Sequence, residues 1–142
     1  MTTTSDAQAA AQWELSKLVH ELDMQNAARL RERVAELGLT VAQASALREL
    51  TGPMTLSELA VRMSCEPSNA TVVIDKLESQ RLIERRPHPS DRRAKQLLLT
   101  PEGVERRERL LKLVREDTFF PGLTQQEQDA LQDLLQRAIS HR

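Results

Sequence analysis

Residues 66–100 read EPSNATVVIDKLESQRLIERRPHPSDRRAKQLLLT, and the order of elements in this segment sets the architecture. Its first part, Pro67 to Gln80, predicts a helix, since proline is accepted at a first helical position whose N–H has no intrahelical partner. Two short apolar runs, 82–86 and 95–99, then flank a loop that contains two prolines. Such a pattern is typical of a β-hairpin with an extended tip. A helix followed directly by a hairpin is therefore expected.

Three further helices are predicted before this segment. A long one covers about residues 7–37, and Gly38 suits a left-handed helix end because it lacks a Cβ. Two short ones, at about 41–51 and 55–63, each start with Thr-x-x-Gln or Thr-x-x-Glu, the pattern of a capping box. Residues 52–53, Gly-Pro, separate these two helices and leave room for a strand of one or two residues.

Two helices are predicted after the hairpin, over about residues 101–117 and 124–140. The resulting fold class is mainly α with a small β-wing: a winged helix-turn-helix of about six helices and a two-stranded hairpin. Because neither internal repeats nor a low-complexity linker is seen, we expect a single domain over residues 1–142. Its parts would be the winged helix-turn-helix at about 39–100 and helical extensions from both termini, at about 7–37 and 101–140.

The helix predicted at 67–80 has an apolar and a polar side. Ala70, Ile74 and Leu77 recur at helical spacing and should face the core. The polar side is small and hydrogen-bonding in its N-terminal half, which suits entry into the major groove and contact with base edges. Each of its residues would equally fit an ordinary solvated position. They are Ser68, Asn69, Thr71, Val72, Asp75 and Lys76.

The chain carries 20 Lys and Arg against 21 Asp and Glu, a formal net charge of −1. The charges are unevenly distributed, because residues 79–100 hold six basic side chains and two acidic ones. A local positive face suits contact with phosphates, although the same charges also fit a solvated basic loop. The candidate phosphate contacts, which set register on DNA without reading sequence, are Arg85, Arg86, Arg92 and Lys95.

Several other classes of protein are not supported. No apolar run approaches the roughly 18 residues of a membrane span, and residues 1–11 lack the basic start and apolar core of a signal peptide. The single cysteine, Cys65, has no partner for an internal disulfide, which favours a reducing cytoplasm. The histidines do not have the spacing of a zinc site, and no phosphate-binding loop or activated nucleophile is visible. We therefore expect no metal, no cofactor, no membrane partner and no enzymatic activity.

The motifs in the middle of the chain resemble those of the MarR (multiple antibiotic resistance regulator) family. The resemblance covers about residues 37–103, and its sharpest part is the wing. The wing motif is Asp91-x-Arg93 followed by Leu99-Thr100-x-x-Gly103. The earlier motifs are Leu39-Thr40-x-x-Gln43-x-x-x-Leu47, Thr55-Leu56-Ser57-Glu58-Leu59-Ala60, Val73-Ile74-Asp75-Lys76-Leu77-Glu78 and Leu82-Ile83-Glu84-Arg85.

The resemblance implies a homodimer in which the first helix and the last two helices interlock. Each subunit would present one recognition helix and one wing to a pseudo-palindromic operator in double-stranded DNA. It also implies that Asp91 pairs with Arg93 and steadies the wing, while the Arg93 guanidinium enters the minor groove, where negative potential is concentrated. The alternative for these two residues is a plain ion pair in a turn. Many members of the family release DNA when a small phenolic or aromatic effector binds between the dimerisation helices and the DNA-reading part.

One residue departs from the family's pattern. The family usually has a glycine between the recognition helix and the first wing strand, and Arg81 stands at the corresponding position. A left-handed conformation there costs a non-glycine residue about 1 kcal/mol. Either Arg81 accepts that conformation, or the turn differs and the wing angle shifts.

Two residues bear on regulation. Trp13 is one of three aromatic residues, with Phe119 and Phe120, and would either line an effector pocket or pack in a dimer core. Cys65 precedes the recognition helix, whose N-terminus favours a thiolate, so its oxidation would displace that helix. The alternative for Cys65 is the role of a small buried apolar residue.

Together these patterns predict a cytoplasmic, sequence-specific, double-stranded DNA-binding transcription regulator, a homodimeric repressor released by a small molecule. The alternative is a dimeric winged-helix adaptor or antirepressor that binds proteins and not DNA, against which the basic excess around the wing argues. The predicted DNA-binding residues are Ser68, Asn69, Thr71, Val72, Lys76, Arg86, Asp91, Arg92, Arg93 and Lys95.

Overall fold

The computed structural model describes residues 4–141 and contains six helices and one two-stranded antiparallel hairpin. The predicted fold class, mainly α with a small β-wing, is confirmed. Residues 1–3 and 142 lie outside the described residues. The prediction that residues 1–11 are not a signal peptide and the outer limits of the predicted single domain therefore fall partly outside the described part of the chain. The elements are α1 (Thr4–Ala35), α2 (Val41–Glu49), α3 (Leu56–Arg62), α4 (Pro67–Ser79), β1 (Ile83–Pro87), β2 (Lys95–Leu99), α5 (Pro101–Glu116) and α6 (Gln125–Ser140).

Threonine side chains begin four of the helices. At α2 the predicted capping box is complete: Thr40 Oγ1 accepts from the Gln43 amide at 3.1 Å, and Gln43 Oε1 accepts from the Thr40 amide at 2.9 Å. At α3, Thr55 accepts from the Glu58 amide at 3.2 Å, and the return bond from Glu58 is absent among the described residues. The other two threonine caps are Thr100 at α5 and Thr124 at α6.

The core lies between α2, α3, α4 and the root of the hairpin, closed by the end of α1 and the middle of α5. The strands pair from Ile83 opposite Leu99 to Pro87 opposite Lys95. The short strand predicted near residues 52–53 is found as a bridge from Met54 to Leu97. The largest fully buried side chains are Val34, Leu47, Leu50, Leu59, Ile74, Leu77, Leu82 and Ile83.

Arg81 takes the left-handed conformation, with a φ of 62°. The Arg81 amide donates to the carbonyl of Glu78 and the Leu82 amide donates to the carbonyl of Leu77, both at 2.9 Å. This pair of bonds defines a Schellman cap, and the buried Leu77 and Leu82 supply its usual apolar contact. Of the two predicted outcomes the first is found: Arg81 accepts the strained conformation. Gly38 also ends its helix as predicted, at φ 70°.

Two arginines of α5 bind main-chain carbonyls of the preceding helices. Arg106 donates to Leu37 at 2.6 Å, and Arg107 donates to Leu47 and Arg48 at 3.0 and 3.1 Å. Carbonyls near a helix end lack intrahelical partners, and a guanidinium satisfies them while complementing the helix dipole. The helix after the wing is therefore fastened to the helices before it.

Much of α1 and all of α6 remain open in the single chain. The large apolar side chains of α1 from Trp13 to Met24 are exposed, whereas Val34 near its end is buried, and α6 has no buried residue. Within residues 4–141 no helix is long and apolar enough to cross a membrane. The exposed large apolar side chains of these two helices are Trp13, Leu15, Leu18, Val19, Met24, Leu134, Leu135 and Ile139.

Candidate nucleic-acid interface

The helix α4 presents two opposite faces, as the sequence predicts. Ala70, Ile74 and Leu77 are fully buried. On the other side, four of the predicted DNA-binding residues are exposed: Ser68, Asn69, Val72 and Lys76. No side-chain cap covers the start of this helix, because Glu66 at the cap position makes no such bond. Its first turn is therefore open to a partner.

A third stripe of α4 lies on the side of the wing. It contains Thr71, Asp75 and Glu78, which follow one another at four and three residues and so lie along one side of the helix. Thr71 is half-buried, and its hydroxyl donates to the Pro67 carbonyl at 2.9 Å. Thr71 thus lies beside the hairpin, at the edge of the exposed face.

Arg85 of β1 contacts this stripe. Its Nη2 lies 2.5 Å from Asp75 Oδ1, and its Nε lies 3.5 Å from Glu78 Oε2. Two carboxylates of α4 thus pair with the Arg85 guanidinium in this conformation, and contact of Arg85 with phosphate stays a prediction. Arg86 also has a carboxylate partner, with Nη2 at 2.6 Å from Glu84 Oε1, but its side chain stays 64% exposed.

The tip of the wing is organised by main-chain bonds to two side chains. His88 Nδ1 accepts from the amides of Ser90 and Asp91 at 3.1 and 3.2 Å. Asp91 Oδ1 in turn accepts from the Arg93 amide at 3.0 Å. The expected pairing of Asp91 with Arg93 is thus found at the main chain, and the two side chains form no ion pair among the described residues. The physical reason is the spacing, since an Asp side chain readily bonds an amide two residues ahead in a turn.

The remaining predicted cations of this surface carry unneutralised charge. Arg92, Arg93 and Lys95 of the wing, and Lys76 of α4, are exposed and form no ion pair within residues 4–141. The positive potential is consequently concentrated at the tip of the wing and beside the exposed face of α4.

Sequence reasoning missed the roles of Arg85 and His88. The signal for Arg85 was available: in a strand alternate residues share a face, so Arg85 lies on the same side as the buried Ile83. No comparable local pattern marks His88, because its partners depend on how the loop folds back.

A second candidate site is a cleft of about 690 Å³ between α1, α2 and α5. Leu30, Ala44, Leu110 and Val114 form apolar walls, and Phe119 lies at its edge. Three charged side chains, those of Arg48, Glu49 and Arg115, also line it. Trp13 does not line this cleft. In the described part of the chain no group of three His, Cys, Asp or Glu side chains has the arrangement of a metal site.

Two of the curated relatives each match part of the chain. The HTH-type transcriptional repressor MdtR of Bacillus subtilis (strain 168) is 40% identical over 74 residues, which are 51% of this chain and 48% of MdtR. The uncharacterized HTH-type transcriptional regulator YkoM of the same organism is 35% identical over 92 residues, 63% of this chain and 60% of YkoM. The chain spans between about half and three fifths of the length of these relatives.

The fold likeness extends further than the sequence match. A crystal structure of a mutant MarR from E. coli complexed with operator DNA superposes with a TM-score of 0.81 at 28% identity, covering 88% of this chain and 93% of that chain. The fold and the exposed helix beside a basic hairpin define a winged helix-turn-helix protein. The MarR family model matches residues 39–95 of this chain.

Proposed function

We propose that this chain is a sequence-specific transcription regulator that binds double-stranded DNA through α4 and the wing. The observation that carries the proposal is a group of four exposed cations, which form no ion pair within the described residues 4–141 and lie beside the open face of α4: Lys76, Arg92, Arg93 and Lys95. A free cation can neutralise a phosphate and release counterions, which is the main source of affinity for DNA. The complex of the similar E. coli MarR mutant with operator DNA supports the proposal that this fold binds DNA.

The proposed division of labour follows the geometry. The exposed residues Ser68, Asn69 and Val72 would reach base edges in the major groove, where an amide pairs with adenine and an apolar group contacts the thymine methyl. Arg93 would enter the minor groove, because the Asp91 contact to its amide orders the backbone that presents it. Arg92 and Lys95 would contact phosphates.

The active form is proposed to be a homodimer acting in the cytoplasm. Large apolar side chains on two long helices are exposed in the single chain, from Trp13 at 77% to Leu135 at 38%. A monomer rarely exposes so many large apolar side chains without a partner that covers them. A two-fold assembly would place the two α4 helices in successive major grooves of a pseudo-palindromic operator, about 10 base pairs apart.

We propose repression by occupancy of a promoter and release by an effector in the cleft between α1, α2 and α5. Its apolar walls with Phe119 at the edge fit a small aromatic or phenolic molecule, and Arg48 or Arg115 would pair with an acidic substituent. The cleft is bounded by both a helix of the DNA-reading part and two helices of the extensions. A ligand there would change the angle between them and hence the spacing of the two α4 helices.

Binding to a labelled duplex from the region upstream of the gene tests the DNA-binding proposal. We expect affinity above that for a random duplex, and a logarithmic salt dependence with a slope of about −0.9 for each phosphate contacted. Failure to bind any duplex at low salt would contradict it and favour the protein-binding adaptor.

A panel of hydroxybenzoates tests the effector proposal. We expect at least one to weaken operator binding, and Ser45→Phe, which fills the cleft, to abolish that response while operator binding persists. A response that survives in Ser45→Phe would place the effector elsewhere.

A further inference from the structure

Apolar packing holds only the root of the wing. Leu82, Ile83 and Leu97 are each 2% exposed, and Leu97 is further fixed by main-chain bonds with Met54 of 2.7 and 3.3 Å. Beyond Ile83 the burial along β1 declines, and the strand is exposed from Arg85 to its end. The outer part of the hairpin therefore needs another contact if its angle to α4 is to be fixed.

Arg85 makes that contact. Its guanidinium lies against Asp75 at 2.5 Å and Glu78 at 3.5 Å, and within residues 4–141 these are the ion pairs that join the wing to α4. Two nitrogens of one planar fork bind two carboxylates of one helix. Such a fork restricts direction as well as distance, which a single point charge does not do.

The charges of this cluster argue against a direct role in binding phosphate. The side chains of Asp75 and Glu78 are 59% and 44% exposed and lie on the helix proposed to enter DNA. Left unpaired, both carboxylates would repel phosphates. Arg85 neutralises one unit of this negative charge, and the Nε–Nη2 edge of its guanidinium is occupied by the two carboxylates, whereas Arg93 and Lys95 form no ion pair within residues 4–141.

We infer that Arg85 is a positioning residue that sets the angle between the recognition helix and the wing. Its effect is on sequence discrimination: major-groove contacts from α4 and the minor-groove contact from Arg93 can form together only at one relative orientation of the two elements. This inference rests on the proposed DNA binding. Exposed ion pairs contribute little to the free energy of unfolding, so the global stability of an Arg85 variant should change little.

Binding of operator and random duplexes over a salt series tests the inference. Arg85→Gln should lower the affinity for the operator by about tenfold, the range of directly coupled residues, and the affinity for random DNA by less. The slope of affinity against salt should stay the same, whereas loss of a phosphate contact would reduce it by about 0.9. The comparison variant is Arg86→Gln, because Arg86 pairs with Glu84 inside its own strand and joins no two elements. Since Arg86 is a predicted phosphate contact, its replacement should weaken binding to operator and random DNA about equally and reduce the salt slope.

A variant of the partner residue, Asp75→Asn, distinguishes a positioning role of the ion pair from a simple effect of its charge on DNA binding. Asp75→Asn removes a negative charge close to the proposed interface, so charge alone predicts tighter DNA binding. A positioning role predicts weaker operator binding, and it predicts that the double variant Arg85→Gln/Asp75→Asn loses no more than Arg85→Gln. Tighter binding by Asp75→Asn, or a reduced salt slope in Arg85→Gln, would overturn the inference.

Amide hydrogen exchange without DNA keeps this test independent of the proposed function. We expect faster exchange of the ladder amides of β1 and β2 in Arg85→Gln than in Arg86→Gln. Equal exchange in the two variants would overturn the inference even if the protein binds DNA. If the wild-type chain binds no duplex, the proposed function fails, and the exchange measurement still decides whether Arg85 orients the wing.

Discussion

A Cβ at Gly103 would lie 2.0 Å from the carbonyl oxygen of Leu82, so the first turn of α5 packs directly on the chain that enters the wing. The same carbonyl accepts from the Thr100 amide at 3.1 Å. Thr100 Oγ1 donates to the Arg81 carbonyl at 2.6 Å and accepts from the Gly103 amide at 3.0 Å. One compact junction therefore fixes the end of α4, the root of the wing and the start of α5 to one another.

Gly103→Ala should destabilise the fold by about 1–3 kcal/mol, the cost of inserting a methyl group where main chain must move. Urea denaturation would measure it. The control is Gly122→Ala, where a Cβ would meet no atom within 4 Å. Equal midpoints for the two variants would show that the junction adjusts without strain.

Arg81→Gly should raise the free energy of unfolding by up to about 1 kcal/mol. Glycine relieves the left-handed strain at φ 62° and gives back part of the gain through a more flexible unfolded chain. Arg81→Ala is the control, because it removes the side chain but keeps a Cβ in the strained conformation. Thermal unfolding should rank the glycine variant above the alanine variant, and the reverse order would show that the arginine side chain itself stabilises the cap.

Asp117 links α5 to α1, and the environment of its carboxyl group makes the free energy of unfolding depend on pH. Its hydrogen bond with the Arg29 guanidinium, aided by the Thr118 amide, holds the pKa of the Asp117 carboxyl below its ordinary value of about 3.9. As the pH falls, the Asp117 carboxyl is therefore protonated at a higher pH in the unfolded chain than in the folded one. The ionised carboxyl stabilises the folded state at pH values above its ordinary pKa. This stabilisation is lost as the pH falls through the lowered pKa of the folded state.

Asp117→Asn should accordingly be less stable than the wild type at pH 7, and the difference should shrink below about pH 4. Urea unfolding between pH 7 and pH 2.5 gives the comparison. Arg29→Gln, which removes the partner, should reproduce the loss at pH 7. A stability difference that stays constant down to pH 2.5 would mean that the charge of Asp117 does not contribute.

Arg93→Ala should lower operator affinity by about 1–3 kcal/mol, the range of one specific groove contact, and should affect random DNA less. Arg92→Ala is the neighbouring control and should weaken both duplexes about equally, as expected for a phosphate contact. Fluorescence anisotropy at one fixed salt concentration measures both variants. Equal losses on the two duplexes for Arg93→Ala would show that Arg93 holds phosphate and reads no sequence.

Leu134→Asp should weaken dimerisation by about tenfold or more, because it would bury an unpaired charge in the proposed interface of α6. Val61→Asp is the control: Val61 is 78% exposed, but it lies on α3, away from the helical extensions. Sedimentation equilibrium should show monomers for the first variant and dimers for the second. A dimer that tolerates Asp at residue 134 would place the interface elsewhere.

The helices and strands of this protein are determined by local sequence. The predicted bounds agree with the structure to within about three residues because threonine caps, a proline at the start of α4 and left-handed helix ends act within a few residues of where they stand. The buried side of α4 follows for the same reason, since Ala70, Ile74 and Leu77 repeat at the period of the helix. The Gly-Pro step before Met54 predicted a short strand there, but only the structure shows that it pairs with Leu97.

What depended on tertiary structure is the partner of each charged side chain. Nothing near Arg85 in sequence indicates Asp75 and Glu78 as its ligands, and Arg107 meets the Leu47 carbonyl across 60 residues. A guanidinium on a flexible stem can bind any acceptor within reach, so only the packing of the elements decides which acceptor that is. The same packing separates the cations that the fold uses internally from those left free on the surface, and it opens the cleft between α1, α2 and α5.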